Sequence, residues 1–227
     1  MYNVWFKDKS ALEFPLVTQE IGRRQKAEEE VDVIEVPYRN GPLLVHTGFY
    51  KGYERPMTFV VRDTDYTKRI LAWLKGRGKL RTDIDPLGYF RVSILSEISV
   101  EPLSPTLDTV SFSFSVDPFF YLDSGDRELT LTKPTALFNP GTHYADPIIT
   151  IYGSGNIRLN VNSEFVSLTN VTEKITMDSE LKVCYRDTLN MGRQMTGEYL
   201  TLREGMNSIS WEGSVTKVEI TPRWREL

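Results

Sequence analysis

The sequence has few of the residues that carry most protein chemistry. Its 227 residues include one cysteine, Cys184, and two histidines, His46 and His143. A single cysteine excludes an intrachain disulfide and leaves a structural zinc site without its thiolate cluster. Neither histidine has a nucleophile motif or a recognisable partner for a Ser-His-Asp triad. We therefore expect a protein that is not an enzyme and that has no catalytic residues, no cofactor and no metal.

The sequence also lacks an excess of positive charge and any long apolar run. Its formal net charge is −4, whereas non-specific nucleic-acid binding needs a dense positive surface. No segment approaches the roughly 18 to 20 apolar residues of a membrane helix, and residues 1–14 lack the apolar centre of a signal peptide. We expect neither nucleic acid nor a membrane as a partner, and a protein that stays in the cytosol where it is made.

Acidic residues offer only weak candidates for a site. Asp63 with Asp65, and Asp83 with Asp85, are D-x-D pairs with the ligand type of a divalent cation. The first pair precedes a predicted helix and the second a predicted proline turn, so structural roles are favoured for both. Four other carboxylates would serve a glycosidase only at a separation of roughly 5 to 9 Å, which sequence does not show: Glu97, Glu101, Glu164 and Asp178.

The composition is that of a folded chain, with 40% hydrophobic and 26% charged residues. Its length favours two domains, because single cores settle near ~100 to 150 residues. We place the boundary after residue 124. The clearest strand lies just before it, where the apolar residues of Val110–Val116 alternate with serines. Pro118 is predicted to end the pairing of this strand, because it has no backbone donor.

One helix is predicted in the first half. Asp63 or Thr64 caps its start, and Gly76 supplies a left-handed cap at its end. Four residues share one face at helical spacing: Tyr66, Ile70, Trp73 and Leu74. We expect Trp73 to be buried. A further turn is predicted at Asp85–Gly88, between two strands.

A hairpin precedes this helix, with strands over residues 31–36 and 43–49 and a left-handed turn at Asn40–Gly41. The charged run before it, residues 20–30, has almost nothing apolar to bury. Two interpretations stay open, a solvated loop or an arm that orders only against a neighbouring subunit. In the second, the subunit interface is formed by Arg23, Arg24, Lys26, Glu28, Glu29 and Glu30.

The second half shows short apolar segments separated by turns, a pattern typical of a β-sandwich. Glycines at 141, 153, 155 and 205 mark the predicted turns. Separate strands are predicted at residues 147–152 and 157–161, at 199–202, and again at 206–211 and 215–221.

Several motifs occur in a characteristic order. They are the Asn40–Gly41 hairpin, I-L-A-W-L in the helix, D-P-L-G-Y-F from Asp85, V-S-F-S-F-S-V-D-P-F-F from Val110, F-N-P-G-T from Phe138, A-D-P-I-I-T-I-Y-G-S-G from Ala145, T-M-D-S-E from Thr176 and L-R-E-G-M-N-S-I from Leu202. Together they span nearly the whole chain. In this order and spacing the sequence resembles the distal tail protein (Dit) family of siphophages that infect Gram-positive bacteria.

The resemblance implies a mainly β fold with one α-helix. It implies an N-terminal β-sandwich belt domain with one helix and a hairpin over residues 1–124, and a galectin-like β-sandwich over 125–227. Belt domains of this kind form a homo-hexameric ring at the phage tail tip, which is assembled in the host cytoplasm and becomes part of the virion.

The resemblance also implies protein partners. The ring is a hub for host adsorption that joins the tail tube protein to the tail-associated lysin or baseplate. Further implied partners are tail fibre or receptor-binding proteins and the tape measure protein.

The alternative function is a carbohydrate-binding module that recognises the host cell wall, and a third is a wall hydrolase. Trp211 and Trp224 are aromatics that could stack on a sugar, although core or interface positions are commoner for such residues. The sequence contains no H-N-P-R or W-x-x-E-x-R pattern of galectin-type sugar sites. A glycan array separates the first two functions, and the lack of a plausible base disfavours the third.

Overall fold

The computed structural model describes residues 2–227. The fold is mainly β with one α-helix, as predicted. The chain divides into two compact units, one comprising residues up to Phe120 together with Leu227 and the other Tyr121–Glu226. This division lies slightly before the boundary inferred from the sequence.

The first unit contains the helix, and most of its strands are antiparallel within one sheet. Its elements are β1 (Val4–Phe6), β2 (Lys9–Ser10), β3 (Leu16–Ile21), β4 (Glu28–Ile34), β5 (Leu43–Lys51), β6 (Tyr53–Val61), α1 (Thr67–Trp73), β7 (Gly76–Thr82), β8 (Asp85–Ile94), β9 (Ser99–Ser104) and β10 (Leu107–Leu122). The order in the sheet is β2-β1-β7-β8-β10-β6-β3, with β9 also paired to β10. Strands β4 and β5 form a separate two-stranded sheet.

The alternation predicted for β10 is confirmed. Val110, Phe112, Phe114 and Val116 are at most 6% exposed, and the serines between them are partly exposed. The predicted end at Pro118 is wrong, because β10 continues to Leu122. Its pairing with β6 ends at Val116, so the missing N–H of Pro118 removes no bond to that neighbour.

The helix begins through a 3-10 turn, Thr64–Tyr66, whose predicted cap Asp63 accepts a hydrogen bond from the Asp65 N–H at 3.1 Å. The predicted C-terminal cap is wrong. Leu74 is the C-cap of α1, and Gly76, although left-handed at φ 74°, begins β7.

Trp73 is half-buried rather than buried. It is the last residue of α1. Its indole contacts the rings of Phe14 and Phe59 at centroid distances of 5.0 and 6.2 Å. The indole N–H donates to the Phe6 carbonyl at 3.0 Å.

The predicted turn at Asp85–Gly88 is also wrong, because these residues belong to β8. Thr82 pairs with Asp85, so the turn between β7 and β8 consists of Asp83 and Ile84. The pairing of β7 with β8 thus includes Asp85, the residue before Pro86, and it lies next to a register shift in β7.

The second unit contains β11 (Leu129–Leu131), β12 (Thr135–Asn139), β13 (Ile148–Val161), β14 (Glu164–Val171), β15 (Lys174–Asp178), β16 (Val183–Arg186), β17 (Leu189–Asn190), β18 (Met195–Gly197), β19 (Gly205–Thr221) and β20 (Arg225–Glu226). One sheet has the order β11-β19-β13-β15-β16-β17, with β12 on β19, β14 on β13 and β18 on β14. Its core includes Ile149, Ile151, Leu159, Leu168 and Ile220.

In two places, two strands that the sequence predicts as separate form one long strand in the structure. β13 runs through Gly153–Gly155, and β19 runs through the segment between residues 211 and 215. A Cβ at Gly153 would lie 2.2 Å from the Ser214 carbonyl oxygen, so this glycine permits close strand pairing rather than a turn. The strand predicted at 199–202 is absent, and Leu202 forms only an isolated bridge with Ala145.

Within residues 2–227, the helical segments are too short or too polar to cross a bilayer.

Candidate functional site

A cluster of exposed apolar residues of the first unit lies on a structure that we call the ribbon, residues 28–51. It comprises β4, β5 and the loop between them. In the part of the chain that the structure describes, the two strands pair only with each other. An isolated two-stranded ribbon is marginally stable in water, so this element has little support from the sheet of its own unit.

The strand register places apolar side chains on both faces of the ribbon. Val33 lies opposite Leu44, and the next pair along the strands is Ile34 with Leu43. Adjacent pairs point to opposite faces of a sheet. The exposed fractions of these four residues are 63%, 54%, 47% and 38%. Neither face is therefore covered by the rest of the chain.

The tip of the ribbon is a loop over residues 35–42 rather than the predicted two-residue turn. Gly41 has the predicted left-handed conformation (φ 83°), and Tyr38 has it too (φ 65°) with a fully exposed side chain. Pro37 and Pro42 lie within this loop and lack the backbone donors that would extend the ladder toward the tip. The loop and the strand ends enclose a hollow of about 330 Å³.

The ribbon is acidic. It carries two cations, Arg39 and Lys51, and five carboxylates, which gives a net charge of −3: Glu28, Glu29, Glu30, Asp32 and Glu35. His46 Nδ1 lies 3.1 Å from Glu29, and Lys51 lies 3.8 Å from Glu28. Both pairs sit near the base of the ribbon, so the tip retains its excess of carboxylates.

The six residues predicted for a subunit interface are divided by the structure. Glu28, Glu29 and Glu30 begin β4, whereas Arg23, Arg24 and Lys26 precede it without regular structure. Of the two interpretations of residues 20–30, a solvated loop fits only part of the segment, because β3 ends at Ile21 and β4 begins at Glu28. Their role at an interface stays a prediction.

The segment between β3 and β4 also contacts its own unit. Arg24 donates to the Asp85 carboxylate at 3.0 Å, and Ala27 is 5% exposed. The carbonyl of Gly22 accepts a hydrogen bond from Arg55 Nε at 2.9 Å. These contacts anchor the chain at the point where the ribbon begins.

A groove of about 560 Å³ lies elsewhere on the first unit, beside α1. We call it the aromatic groove. Three rings line it, those of Phe14, Tyr66 and Trp73. Two cations lie over these rings, Lys9 at 4.1 Å from the centroid of Phe14 and Arg69 at 5.2 Å from that of Tyr66. Glu13 also lines the groove, so two cations and one carboxylate accompany the three rings.

The D-x-D pairs hold the chain together rather than converging on a vacant site. Asp83 accepts a hydrogen bond from the Asn3 N–H at 2.7 Å, and Asp85 binds Arg24. In residues 2–227 no group of three or more His, Cys, Asp or Glu side chains could hold a metal ion.

The other candidate carboxylates of the second unit also have partners. Asp178 accepts two hydrogen bonds from Arg223, at 2.7 and 2.9 Å, and Glu164 pairs with Arg203 at 2.8 Å. Burial lowers the pKa of His143. Asp178 and Glu164 each have an arginine partner within the second unit.

The two tryptophans suggested for sugar stacking belong to the core or its margin. Trp224 is 4% exposed, and Trp211 packs partly against the core of the second unit. A different aromatic is available on the outer face, because Phe165 is 47% exposed. The guanidinium carbon of Arg158 lies 3.7 Å from its ring centroid.

A groove of about 380 Å³ adjoins this pair. Arg158 lies opposite both Ser167 and Glu212 in the ladder, and its neighbours Ile157 and Leu159 are buried. The three polar side chains therefore share the outer face of the sheet.

No protein-family model and no curated protein matches this chain. Among solved structures, the crystal structure of the SPP1 Dit protein matches it with a TM-score of 0.74 at 12% sequence identity. The match covers 97% of this chain and 98% of that one. The chain has the Dit fold. The resemblance inferred from the order of motifs is thereby confirmed at the level of fold.

The SPP1 Dit protein is described as a paradigm of the hub adsorption apparatus in phages that infect Gram-positive bacteria. Sequence reasoning found the ribbon as a hairpin but missed its exposure. The available signal was the five carboxylates interleaved with its apolar residues.

Proposed function

We propose that this chain is a structural protein of a phage tail tip. In this proposal it forms a hexameric ring, the hub that joins the tail tube to the tail-associated lysin or baseplate and to the receptor-binding apparatus. The observation that carries the proposal is the Dit fold over 97% of the chain. The ring is a scaffold, and it performs no reaction.

The ribbon supports assembly as the function of the first unit. Contiguous apolar residues on both faces mark an interaction surface, because exposing them costs free energy that a partner recovers by covering them. Arg23 and Lys26 are exposed at the base of the ribbon and contribute charge to the same interface. The second unit, in this proposal, projects from the ring and binds further tail proteins.

The proposed partners are copies of the chain itself, the tail tube protein, the tail-associated lysin, a tail fibre or receptor-binding protein and the tape measure protein. The proposed location is the virion, with assembly in the host cytoplasm.

Light scattering after size-exclusion chromatography, together with negative-stain images, tests the ring. The purified chain should form closed six-membered rings as its concentration rises. Replacing Val33 and Leu44 by serine should shift the population to monomers, because both side chains lie on one exposed face. The matched control replaces Phe138 and Leu181 by serine, since these residues of the second unit are 60% and 67% exposed. A chain that stays monomeric even with its tail partners contradicts the proposal.

A second candidate function is glycan binding by the second unit. The observation in its favour is the outer face with Phe165, Arg158, Ser167 and Glu212, where an exposed ring lies among hydrogen-bonding side chains. Host cell-wall glycans on an array should bind the intact chain and lose binding when Phe165 is replaced by alanine. Absence of binding to every glycan removes this candidate and leaves the scaffold role intact.

A further inference from the structure

The ribbon and the aromatic groove are complementary in charge. Residues 62–77, which contain α1, carry five cations and two carboxylates, a net charge of +3. All five cations are exposed: Arg62, Lys68, Arg69, Lys75 and Arg77. The ribbon carries a net charge of −3 over residues 28–51. Of these five cations only Arg69 lines the aromatic groove, together with Lys9 and Glu13, and Arg77 pairs with Asp117 at 2.6 Å. The groove and the segment beside it are therefore net positive, whereas the ribbon is net negative.

They are also complementary in their apolar parts. Phe14, Tyr66 and Trp73 form an aromatic base, and Trp73 is half-buried. Val33 and Leu44 form an apolar pair of similar character on one face of the ribbon, Asp32 lies on the opposite face, and Glu35 follows β4 at the start of the tip loop. Each surface has an apolar centre with charged residues around it, the usual anatomy of a protein interface.

We propose that the ribbon of one copy of this chain docks in the aromatic groove of a second copy. The inference rests on the proposed ring and names the two surfaces that meet in it. Contact between two different surfaces is head-to-tail, and repeated head-to-tail contact produces a closed ring when the rotation between neighbours divides a full turn. A two-fold contact of the ribbon with another ribbon would bring like charges together and would stop at a dimer.

Charge reversal tests this pairing. The first variant, Asp32→Lys with Glu35→Lys, makes the ribbon tip positive. The second, Lys68→Glu with Arg69→Glu, makes the groove negative. Each alone should raise the concentration needed for assembly by at least about tenfold, since like charges then face each other. A control variant reverses Arg193 and Glu198, two exposed residues of the second unit.

Mixing the two variants gives the decisive result. The positive ribbon then meets the negative groove, and the unchanged ribbon of the second variant meets the unchanged groove of the first. Assembly should be restored, and native mass spectrometry should show the two variants alternating in equal numbers. A chain carrying both reversals should also assemble alone.

Each other outcome has a defined meaning. If the wild-type chain forms rings that neither reversal weakens, the pairing is wrong and the proposed ring stands. If both reversals weaken the rings but mixing does not restore them, the ribbon meets a different surface. If the wild-type chain forms no oligomer at all, the proposed function and this inference fail together. Circular dichroism of each variant shows whether the monomer has kept its fold.

Discussion

The Arg24 guanidinium lies 3.0 Å from the Asp85 carboxylate and so ties the segment before the ribbon to β8. Asp85 is 8% exposed, so water has little access to its carboxylate. The guanidinium carbon of Arg24 also lies 5.0 Å from the Phe120 ring centroid. The base of the ribbon is therefore held by charge and by aromatic contact, whereas its tip is exposed.

Replacing Arg24 by alanine should destabilise the first unit by about 1 to 3 kcal/mol, because a largely buried carboxylate loses a charged partner. Hydrogen exchange in residues 53–120 measures this loss of free energy. Arg23→Ala is the control, since Arg23 is exposed on the same segment. Equal effects of the two changes would show that the Arg24–Asp85 pair does not stabilise the unit.

Replacing Trp73 by alanine should destabilise the first unit by about 2 to 3 kcal/mol. This is less than the 3 to 5 kcal/mol usual for a buried tryptophan, because Trp73 is half-buried. Trp73→Phe keeps ring packing and loses only the hydrogen bond to Phe6, so its cost should be about 1 kcal/mol. Hydrogen exchange resolved by segment should show the second unit unaffected, and equal weakening of both units would contradict their independence.

The sequence predicted elements where local pattern and packing agree. Val110–Val116 alternates because one face of β10 is core, and α1 begins where Asp63 can cap a turn. The prediction of secondary structure fails where contact with backbone far away in the sequence determines the conformation. Gly153 looks like a turn residue, yet it continues β13 because the Ser214 carbonyl approaches too closely for a side chain.

The candidate site was predictable only in part. The hairpin follows from its alternating strands, but a pattern of apolar residues has the same appearance whether the strand is covered or exposed. Exposure of Val33 and Leu44 depends on which strands pair with the ribbon, and that is settled by tertiary structure. The aromatic groove combines Phe14 with residues of α1 more than fifty positions away, and no local pattern reveals such a pairing.

Arg223→Ala should destabilise the second unit by about 3 kcal/mol, because it leaves Asp178 buried without its bidentate partner. Arg203→Ala is the matched control, since its pair with Glu164 is exposed and should contribute less than about 1 kcal/mol. Hydrogen exchange over β15 measures the loss of stability in both variants. Similar costs would contradict a special role for the buried pair.

The same pair predicts an acid dependence. Burial alone would raise the pKa of Asp178, but hydrogen bonds from Arg223 and from backbone N–H groups outweigh it and lower the pKa. A carboxylate whose pKa is lowered in the folded state stabilises the fold at pH values above its unfolded pKa of about 3.9. This stabilisation is lost as the pH falls through the folded-state pKa. Unfolding of the second unit below about pH 4 should therefore be less pH-dependent in Arg223→Ala than in the wild-type chain.

Cys184 should be inert in the folded chain. Burial raises the pKa of its thiol to about 11, so the reactive thiolate is scarce at pH 8. A thiol-alkylating reagent should label it slowly in buffer and rapidly in denaturant. Because the folded pKa exceeds the unfolded value of about 8.5, stability should fall as pH rises above that value, with a smaller decline in Cys184→Ala. Rapid labelling without denaturant would contradict the buried position.

Reversing Arg23 and Lys26 to glutamate should weaken ring formation and leave the circular dichroism spectrum unchanged, because both residues are exposed at the base of the ribbon. Added salt should also weaken the wild-type rings, since exposed charges are screened. Arg193→Glu, in the second unit, is the control. Rings that form at the wild-type concentration in the double variant would remove these two residues from the interface.

The position of β19 in the second sheet has a consequence for biosynthesis. This strand, Gly205–Thr221, pairs with β11, β12 and β13. These three earlier strands therefore cannot complete their pairing until the last long strand has been translated. Strands β1 to β10 are complete once Leu122 has left the ribosome, and domains generally fold from the N-terminus during synthesis. The nascent chain should therefore present a folded first unit while the second is still open, and a stalled ribosome would expose the unpaired edges of β11 to β13.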